Sequence, residues 1–254
     1  MKIEEIKEWK KKVEDHLGME IREKKEFSPE SIPQEEEELQ RFLARHIDCT
    51  ILNPHTTLKE VESVCREAKE WGFWEVIVNP FYVPTCAQFL GGTKIIVGVA
   101  VGFPLGQNKP EIKAREARLA FQEGAREADM VINLGALKNG DWKLVYQDIR
   151  GVVEEMSPRI IKVVLENCYL STEEKVVGCL IAQAAGAHFV KTSTGFGSGG
   201  ATVEDVELMR QVVGESMGVK AAGGIRSREI ALQMIKAGAN RLGTSSGVKI
   251  MKGE

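Results

Sequence analysis

Short apolar runs alternate with helical patterns from about residue 41 to residue 244. The runs are rich in Val and Ile and are continuously apolar, as strands buried on both faces should be. Several helical patterns end in glycine, for example at Gly72, Gly124 and Gly186, because glycine readily adopts the left-handed conformation that terminates a helix. The pattern predicts eight strands, over residues 45–52, 75–79, 94–101, 128–133, 160–166, 187–192, 217–222 and 240–244.

Eight strand–helix units in about 215 residues predict a single (β/α)8 barrel, the TIM-barrel fold of class α/β. The soft prior of about 150 residues per domain would also allow two small domains. An open, doubly wound sheet is the alternative fold, but no G-x-G-x-x-G follows the first predicted strand. We therefore expect a barrel catalytic domain over residues 41–254.

Residues 1–40 form a charged segment with its own pattern. They hold 8 Lys/Arg and 13 Asp/Glu, so their net charge is −5 while the whole chain carries −3. Residues 28–33 contain two prolines and predict a break or linker. We expect a helical extension that packs on the barrel, the alternative being a partner contact. One apolar stripe recurs at the helical spacings of three and four, at Ile3, Ile6, Trp9, Val13 and Leu17.

Composition and charge exclude several classes of function. A slightly negative chain lacks the basic excess that nucleic acids or anionic membranes attract, and no apolar run approaches the roughly 20 residues of a membrane-spanning helix. The first residues lack the apolar segment of a signal peptide, and the five cysteines form no C-x-x-C pair. We expect a cytoplasmic protein whose cysteines are reduced and buried.

Charged residues stand inside four consecutive predicted strands, near the ends at which TIM-barrel active sites form. Asp129 lies in the fourth strand and Lys162, Lys191 and Lys220 lie in the next three. Lysine is rarely buried without a partner. One such lysine would be an ordinary surface residue, whereas three in succession indicate a polar site inside the barrel.

Lys191 and Lys220 should come within about 6 Å of each other, since adjacent strands lie about 4.8 Å apart. Two like charges at that distance repel by about 3 kcal/mol at an effective dielectric constant near 20, and burial also favours the neutral amine. A lysine with a lowered pKa can form a Schiff base with a carbonyl compound, which leaves Asp129 and the second lysine to move protons. The alternative is a buried ion pair of Asp129 with one lysine, which leaves the other lysines unexplained.

Glycine-rich turns follow the last three predicted strands. Of the 25 glycines, 13 lie in residues 186–254. Such turns leave backbone N–H groups free to converge on an anion, and TIM barrels often bind phosphate after strands seven and eight. The residues therefore predict a lysine-imine enzyme for a phosphorylated carbonyl compound. The turns are residues 194–200, 223–225 and 243–247.

These segments resemble the deoxyribose-phosphate aldolase family, most closely its bacterial, thermophile-type members. The resemblance implies reversible cleavage of 2-deoxy-D-ribose 5-phosphate to D-glyceraldehyde 3-phosphate and acetaldehyde, in deoxyribose phosphate catabolism. It also implies a phosphosugar as the small-molecule partner, no metal or organic cofactor, and a homodimer or homotetramer. The matching motifs are D-C-T-I-L at 48–52, V-N-P at 78–80, V-G-F-P-L-G at 101–106, E-A-D-M-V-I-N at 127–133, K-T-S-T-G-F at 191–196 and V-K-A-A-G-G-I-R at 219–226.

The resemblance also implies roles for single residues. Lys191 matches the Schiff-base lysine, and Asp129 and Lys220 match the proton-transfer pair. The matches to substrate contacts are Asp48, Thr50 and Lys162, and the matches to phosphate contacts are Gly195, Gly223, Gly224, Gly243, Ser245 and Ser246.

Three positions depart from the family pattern. Phe196 replaces a lysine of some members, so that any phosphate contact there comes from the backbone. Ile77 replaces a cysteine that reacts with enal by-products in many members, which predicts tolerance of acetaldehyde. The last four residues lack the tyrosine that some members use in proton transfer. The rival functions are an aldolase for another phosphosugar, a barrel isomerase and a non-catalytic phosphosugar sensor.

Overall fold

The computed structural model describes residues 1–23 and 25–254, and its eight parallel strands form a closed barrel. Neighbouring strands pair in chain order, and the first strand closes the barrel against the eighth. This topology confirms the TIM barrel and rules out the open sheet. The strands are β1 (Ile47–Ile51), β2 (Glu75–Val78), β3 (Ile96–Val101), β4 (Glu127–Val131), β5 (Ile160–Val164), β6 (Phe189–Lys191), β7 (Gly218–Ala222) and β8 (Arg241–Thr244).

Helices connect the strands, and their ends follow local sequence signals. Thr57 caps the helix after β1, because its side chain accepts a hydrogen bond from the N–H of Glu60. Gly72 ends the same helix at φ 69°. The helices are α1 (Ile3–Leu17), α2 (Glu36–His46), α3 (Leu58–Trp71), α4 (Val83–Leu90), α5 (Pro110–Glu123), α6 (Leu134–Lys138), α7 (Trp142–Met156), α8 (Thr172–Ala184), α9 (Val203–Val213), α10 (Arg228–Lys236) and α11 (Gly247–Lys252), with 3-10 turns at Pro80–Tyr82 and Asn167–Tyr169.

The N-terminal helix α1 packs on α7 and α8, as its apolar stripe predicts. Ile6 and Val13 are buried, and the ring of Trp9 meets that of Trp142 edge-on at 6.4 Å. Ile3, at the start of the stripe, is exposed. No helix of the described ranges is long and apolar enough to cross a bilayer.

Most predicted strand ends lie one or two residues from those of the structure, and one cysteine differs from the prediction. The first strand begins at Ile47 because α2 continues to His46. The sixth strand stops at Lys191, and the Thr192 hydroxyl then bonds the carbonyl of Ala222 at 3.1 Å. Four cysteines are buried as expected, but Cys168 is exposed because it lies on a turn outside the barrel wall.

Candidate active site

The predicted charged side chains converge inside the barrel. Lys191 and Lys220 stand in register across β6 and β7, and Asp129 and Lys162 do so across β4 and β5. All four side chains are almost completely buried. Because residues in register on parallel strands face the same side of the sheet, each pair is directed into the barrel.

Asp129 is the centre of this cluster. Its Oδ2 lies 2.8 Å from Nζ of Lys191 and 2.7 Å from Nζ of Lys220. Its Oδ1 lies 3.2 Å from Nζ of Lys162. Two ammonium groups that share one oxygen lie within the separation of about 6 Å expected from the strand spacing. Asp129 therefore pairs with all three lysines rather than with one.

The surroundings shift the pKa values of Lys191 and Lys162 in opposite directions. Burial, together with the charge of Lys220, lowers the pKa of Lys191 although Asp129 opposes this change. Burial also disfavours the ammonium of Lys162, but Glu75, Asp129 and Glu127 outweigh it and raise its pKa. Lys191 is therefore the more readily neutral of the two, and Lys162 remains an ammonium group.

The charge of Asp129 is strongly favoured. Burial alone would raise the pKa of this carboxyl, but Lys191, Lys220 and Lys162 outweigh burial and hold the pKa well below its usual range. Asp129 is accordingly a carboxylate at neutral pH, and it can accept hydrogen bonds from both neighbouring ammonium groups.

A second layer of charges, which the sequence reasoning did not select, lies at the N-terminal ends of the strands. Glu75, Glu127 and Arg241 are the first residues of β2, β4 and β8. Nζ of Lys162 lies 2.9 Å from Glu75 and 2.6 Å from Glu127, while Arg241 pairs with both carboxylates at 3.0 and 3.2 Å. Their signal in the sequence is the same as that of the lysines, a charged residue next to apolar ones, but TIM-barrel active sites form at the opposite strand ends.

A cavity of about 220 Å³ opens next to Lys191 at the carboxyl ends of the strands. The three glycine-rich turns contribute to its wall. Arg226, which directly follows the turn after β7, also lines it and was not selected from the sequence. The predicted site residues on the wall are Thr50, Lys191, Gly195, Gly223, Gly224, Gly243 and Ser245.

The other predicted site residues lie away from the cavity wall. Asp48, Asp129, Lys162 and Lys220 lie in the charge cluster, where Oδ2 of Asp48 is 2.7 Å from Nζ of Lys220. Ser246 directly precedes α11, and its backbone N–H already donates to the hydroxyl of Thr244 at 2.9 Å.

Glycine is required at positions of the cavity wall for two different structural reasons. Gly223 and Gly224 have φ values of 87° and 80°, which favour glycine because a β-carbon is disfavoured in the left-handed region. Gly243 instead makes room, because a β-carbon there would lie 3.1 Å from Cε of Lys220 and 2.9 Å from Cβ of Ala222. Gly243 therefore serves the packing of the charge cluster as well as the cavity wall.

The family model of the DeoC/LacD family aldolases matches residues 42–253. The chain belongs to this family. The deoxyribose-phosphate aldolase of Thermotoga petrophila is 55% identical over 82% of this chain and 84% of its own length. That of Thermococcus kodakarensis is 55% identical over 84% of this chain and 97% of its own length.

A solved structure extends the likeness to three dimensions. The tetrameric deoxyribose phosphate aldolase from Aeropyrum pernix superposes with a TM-score of 0.79 at 30% identity, covering 97% of this chain and 96% of that one. The segment that matches the DeoC/LacD family aldolases contains the whole charge cluster and the whole cavity wall. Helix α1 lies outside it.

Proposed function

We propose that this protein is a deoxyribose-phosphate aldolase, which cleaves 2-deoxy-D-ribose 5-phosphate reversibly to D-glyceraldehyde 3-phosphate and acetaldehyde. The observation that carries the proposal is Lys191, an amine of lowered pKa on the wall of a cavity built from three glycine-rich turns. Relatives with 55% identity bear this name. A phosphosugar sensor would not need an amine poised to lose its proton.

In the cleavage direction, neutral Lys191 attacks C1 of the open-chain sugar, and loss of water leaves an iminium ion. A base takes the proton of the C3 hydroxyl, C3 becomes the carbonyl carbon of glyceraldehyde 3-phosphate, and the C2–C3 electron pair moves into the iminium. The resulting enamine takes a proton at C2, and hydrolysis releases acetaldehyde and the free lysine. Asp129 and Lys220, 2.7 Å apart, are the proposed proton-transfer pair.

The remaining predicted residues are assigned to substrate binding or to holding the catalytic residues in place. Thr50 would contact the sugar from the cavity wall. Asp48 and Lys162 would act from within the charge cluster, where they hold Lys220 and Asp129 in place. Arg226 would add a cation to the phosphate site. The proposed phosphate contacts are backbone N–H groups and serine hydroxyls, contributed by Gly195, Gly223, Gly224, Gly243, Ser245 and Ser246.

The proposal extends to the organisation of the protein. Residues 1–40 would be an accessory extension and residues 41–254 the catalytic domain, although α2 runs through this boundary. The enzyme would act in the cytoplasm as a homodimer or homotetramer, a tetramer being the form of the Aeropyrum pernix relative. It would use neither a metal ion nor an organic cofactor.

The test is a substrate comparison with a matched lysine control. Purified protein is assayed with 2-deoxyribose 5-phosphate and with fructose phosphates, and release of triose phosphate is measured. We expect cleavage of the deoxy sugar by the wild type and by Lys236→Met, which removes an exposed lysine of α10, and none by Lys191→Met. Cleavage of a fructose phosphate in preference to the deoxy sugar would assign the site to a different aldolase.

A further inference from the structure

Glu166, two residues after β5, has an unusual backbone conformation. Its φ is 55°, and no other non-glycine residue in the described ranges has a positive φ. A β-carbon is disfavoured in this left-handed region, so the conformation persists only where surrounding contacts hold it. The residue is only 2% exposed, so those contacts lie within the protein.

The carboxylate of Glu166 is held by one residue of the turn after β6. The backbone N–H of Thr194 lies 3.3 and 3.2 Å from its two oxygens, and the Thr194 hydroxyl donates a further hydrogen bond to Oε2. The same hydroxyl oxygen accepts a hydrogen bond from the N–H of Phe196 at 3.0 Å. This chain of hydrogen bonds therefore runs from Glu166 across the turn that contains Gly195.

The turn also packs directly on the carboxylate. A β-carbon at Gly197 would lie 3.0 Å from Cδ of Glu166. On either side of Glu166 the backbone is tied to the strand of the Schiff-base candidate, because Leu165 N–H donates to the carbonyl of Lys191 and Asn167 N–H donates to that of Thr192, both at 2.9 Å. The backbone of Glu166 is therefore held in place, and the turn of residues 194–197 packs on its side chain.

The partners of Glu166 are neutral donors. In the part of the chain that the structure describes, no lysine, arginine or histidine forms an ion pair with it, in contrast to every carboxylate of the barrel interior. A carboxyl group that is removed from water depends on the hydrogen bonds that replace the water. Its main hydrogen-bonding partner is Thr194, which lies on the cavity wall.

We propose that Glu166 is a positioning residue for the phosphate monoester of the substrate. It acts through Thr194 and holds the turn of residues 194–197 so that the backbone N–H of Gly195, on the cavity wall, faces the cavity. It does not touch the substrate. The proposal rests on the proposed function, because the phosphate site is part of that function.

The first test compares two glutamates with similar partners. Glu60 accepts hydrogen bonds from both the N–H and the hydroxyl of Thr57, each at 2.7 Å, at the exposed start of α3. Glu166→Gln replaces an acceptor by an amide donor, and Glu60→Gln makes the same change away from the cavity. We expect Glu166→Gln to raise KM for 2-deoxyribose 5-phosphate about tenfold with little change in kcat. Glu60→Gln should leave both constants unchanged.

The unphosphorylated sugar separates positioning from a general structural effect. Turnover of 2-deoxyribose has no phosphate contact to lose, so we expect its kcat/KM to be the same in Glu166→Gln and wild type. An equal loss for both sugars, or an unchanged KM for the phosphorylated one, would overturn the proposal. If Glu166→Gln does not fold, Thr194→Val and Thr194→Ser replace it, and equal KM values in these two variants would overturn the proposal.

A double variant tests the route through Thr194. If Glu166 acts through this residue, adding Glu166→Gln to Thr194→Val should change KM at most about twofold, and independent effects of the two substitutions would contradict the route.

Calorimetry with inorganic phosphate makes the test independent of turnover. If the wild type binds phosphate but does not cleave the sugar, only the proposed function is refuted. In that case, about tenfold weaker phosphate binding by Glu166→Gln than by the wild type still supports the positioning role. Equal binding would overturn it.

Discussion

The pKa of Lys191 depends on its burial and on its immediate neighbours. Lys220 is one of the groups that lower the pKa of Lys191, so Lys220→Met should raise that pKa. Imine formation needs the neutral amine and therefore speeds up as the pH rises through this pKa. We expect the midpoint of the pH profile for imine trapping with acetaldehyde to move upward in Lys220→Met. A midpoint that stays in place or moves downward would contradict the assignment, and Lys236→Met is the control.

Ile77 offers a second prediction for a single residue. It is fully buried and forms a small apolar cluster with Leu52 and Ala100, separate from the main core. Since an alkyl side chain cannot react with enals, we expect the wild type to retain activity in concentrated acetaldehyde. Ile77→Cys should lose activity faster and Ile77→Val should not, as measured by residual activity over time. Equal inactivation rates in all three proteins would refute the idea.

Several residues of the site could be read from the chain, and others could not. The lysines of β5, β6 and β7 stand out because each interrupts an apolar strand. In the structure Lys191 pairs with Lys220, whereas Lys162 pairs with Phe189. The pairing of Arg241 with Glu75 and Glu127 joins three strands across the barrel interior, and a linear pattern does not contain such distances. The role of Glu166 depends on a φ value and a contact with the next strand, which no motif displays.

Helix α1 is the element for which the contribution to stability is most easily tested. Val13 is completely buried where α1 packs on the barrel, and Val13→Ala should lower the free energy of unfolding by about 2 kcal/mol. Because α1 lies on the outer face of α7 and α8, kcat should not change. Urea denaturation and steady-state kinetics measure the two quantities. Ile3→Ala, at an exposed position of the same helix, should change neither, and a fall in kcat for Val13→Ala would contradict a purely structural role.

The elements themselves were predictable because they repeat. Each strand lies within a largely apolar run, and glycines such as Gly72 and Gly124 end the preceding helices. Element ends were less predictable where two signals compete. The sequence of residues 45–47 is compatible with the end of a helix and with the start of a strand. In the structure α2 continues to His46, and β1 begins at Ile47.

For the molecule as a whole, the stability should depend on pH through His46. Burial lowers the pKa of this histidine in the folded state, so the unfolded chain binds the proton more readily. The free energy of unfolding should therefore be greatest above pH about 6.5, the ordinary pKa of histidine, and decline as the pH falls below it. His46→Gln should weaken this decline between pH 5.5 and 7.5, roughly the titration range of histidine, in urea denaturation. An unchanged slope would contradict the assignment.

The proposed activity of the whole molecule depends on one lysine of the barrel that forms an imine with the substrate. The most direct measurement is to incubate the protein with acetaldehyde and borohydride, digest it and locate the reduced adduct by peptide mass. We expect a single ethyl adduct on Lys191, present in Lys236→Met and absent from Lys191→Met. No adduct, or an adduct on Lys162 or Lys220 in place of Lys191, would contradict it.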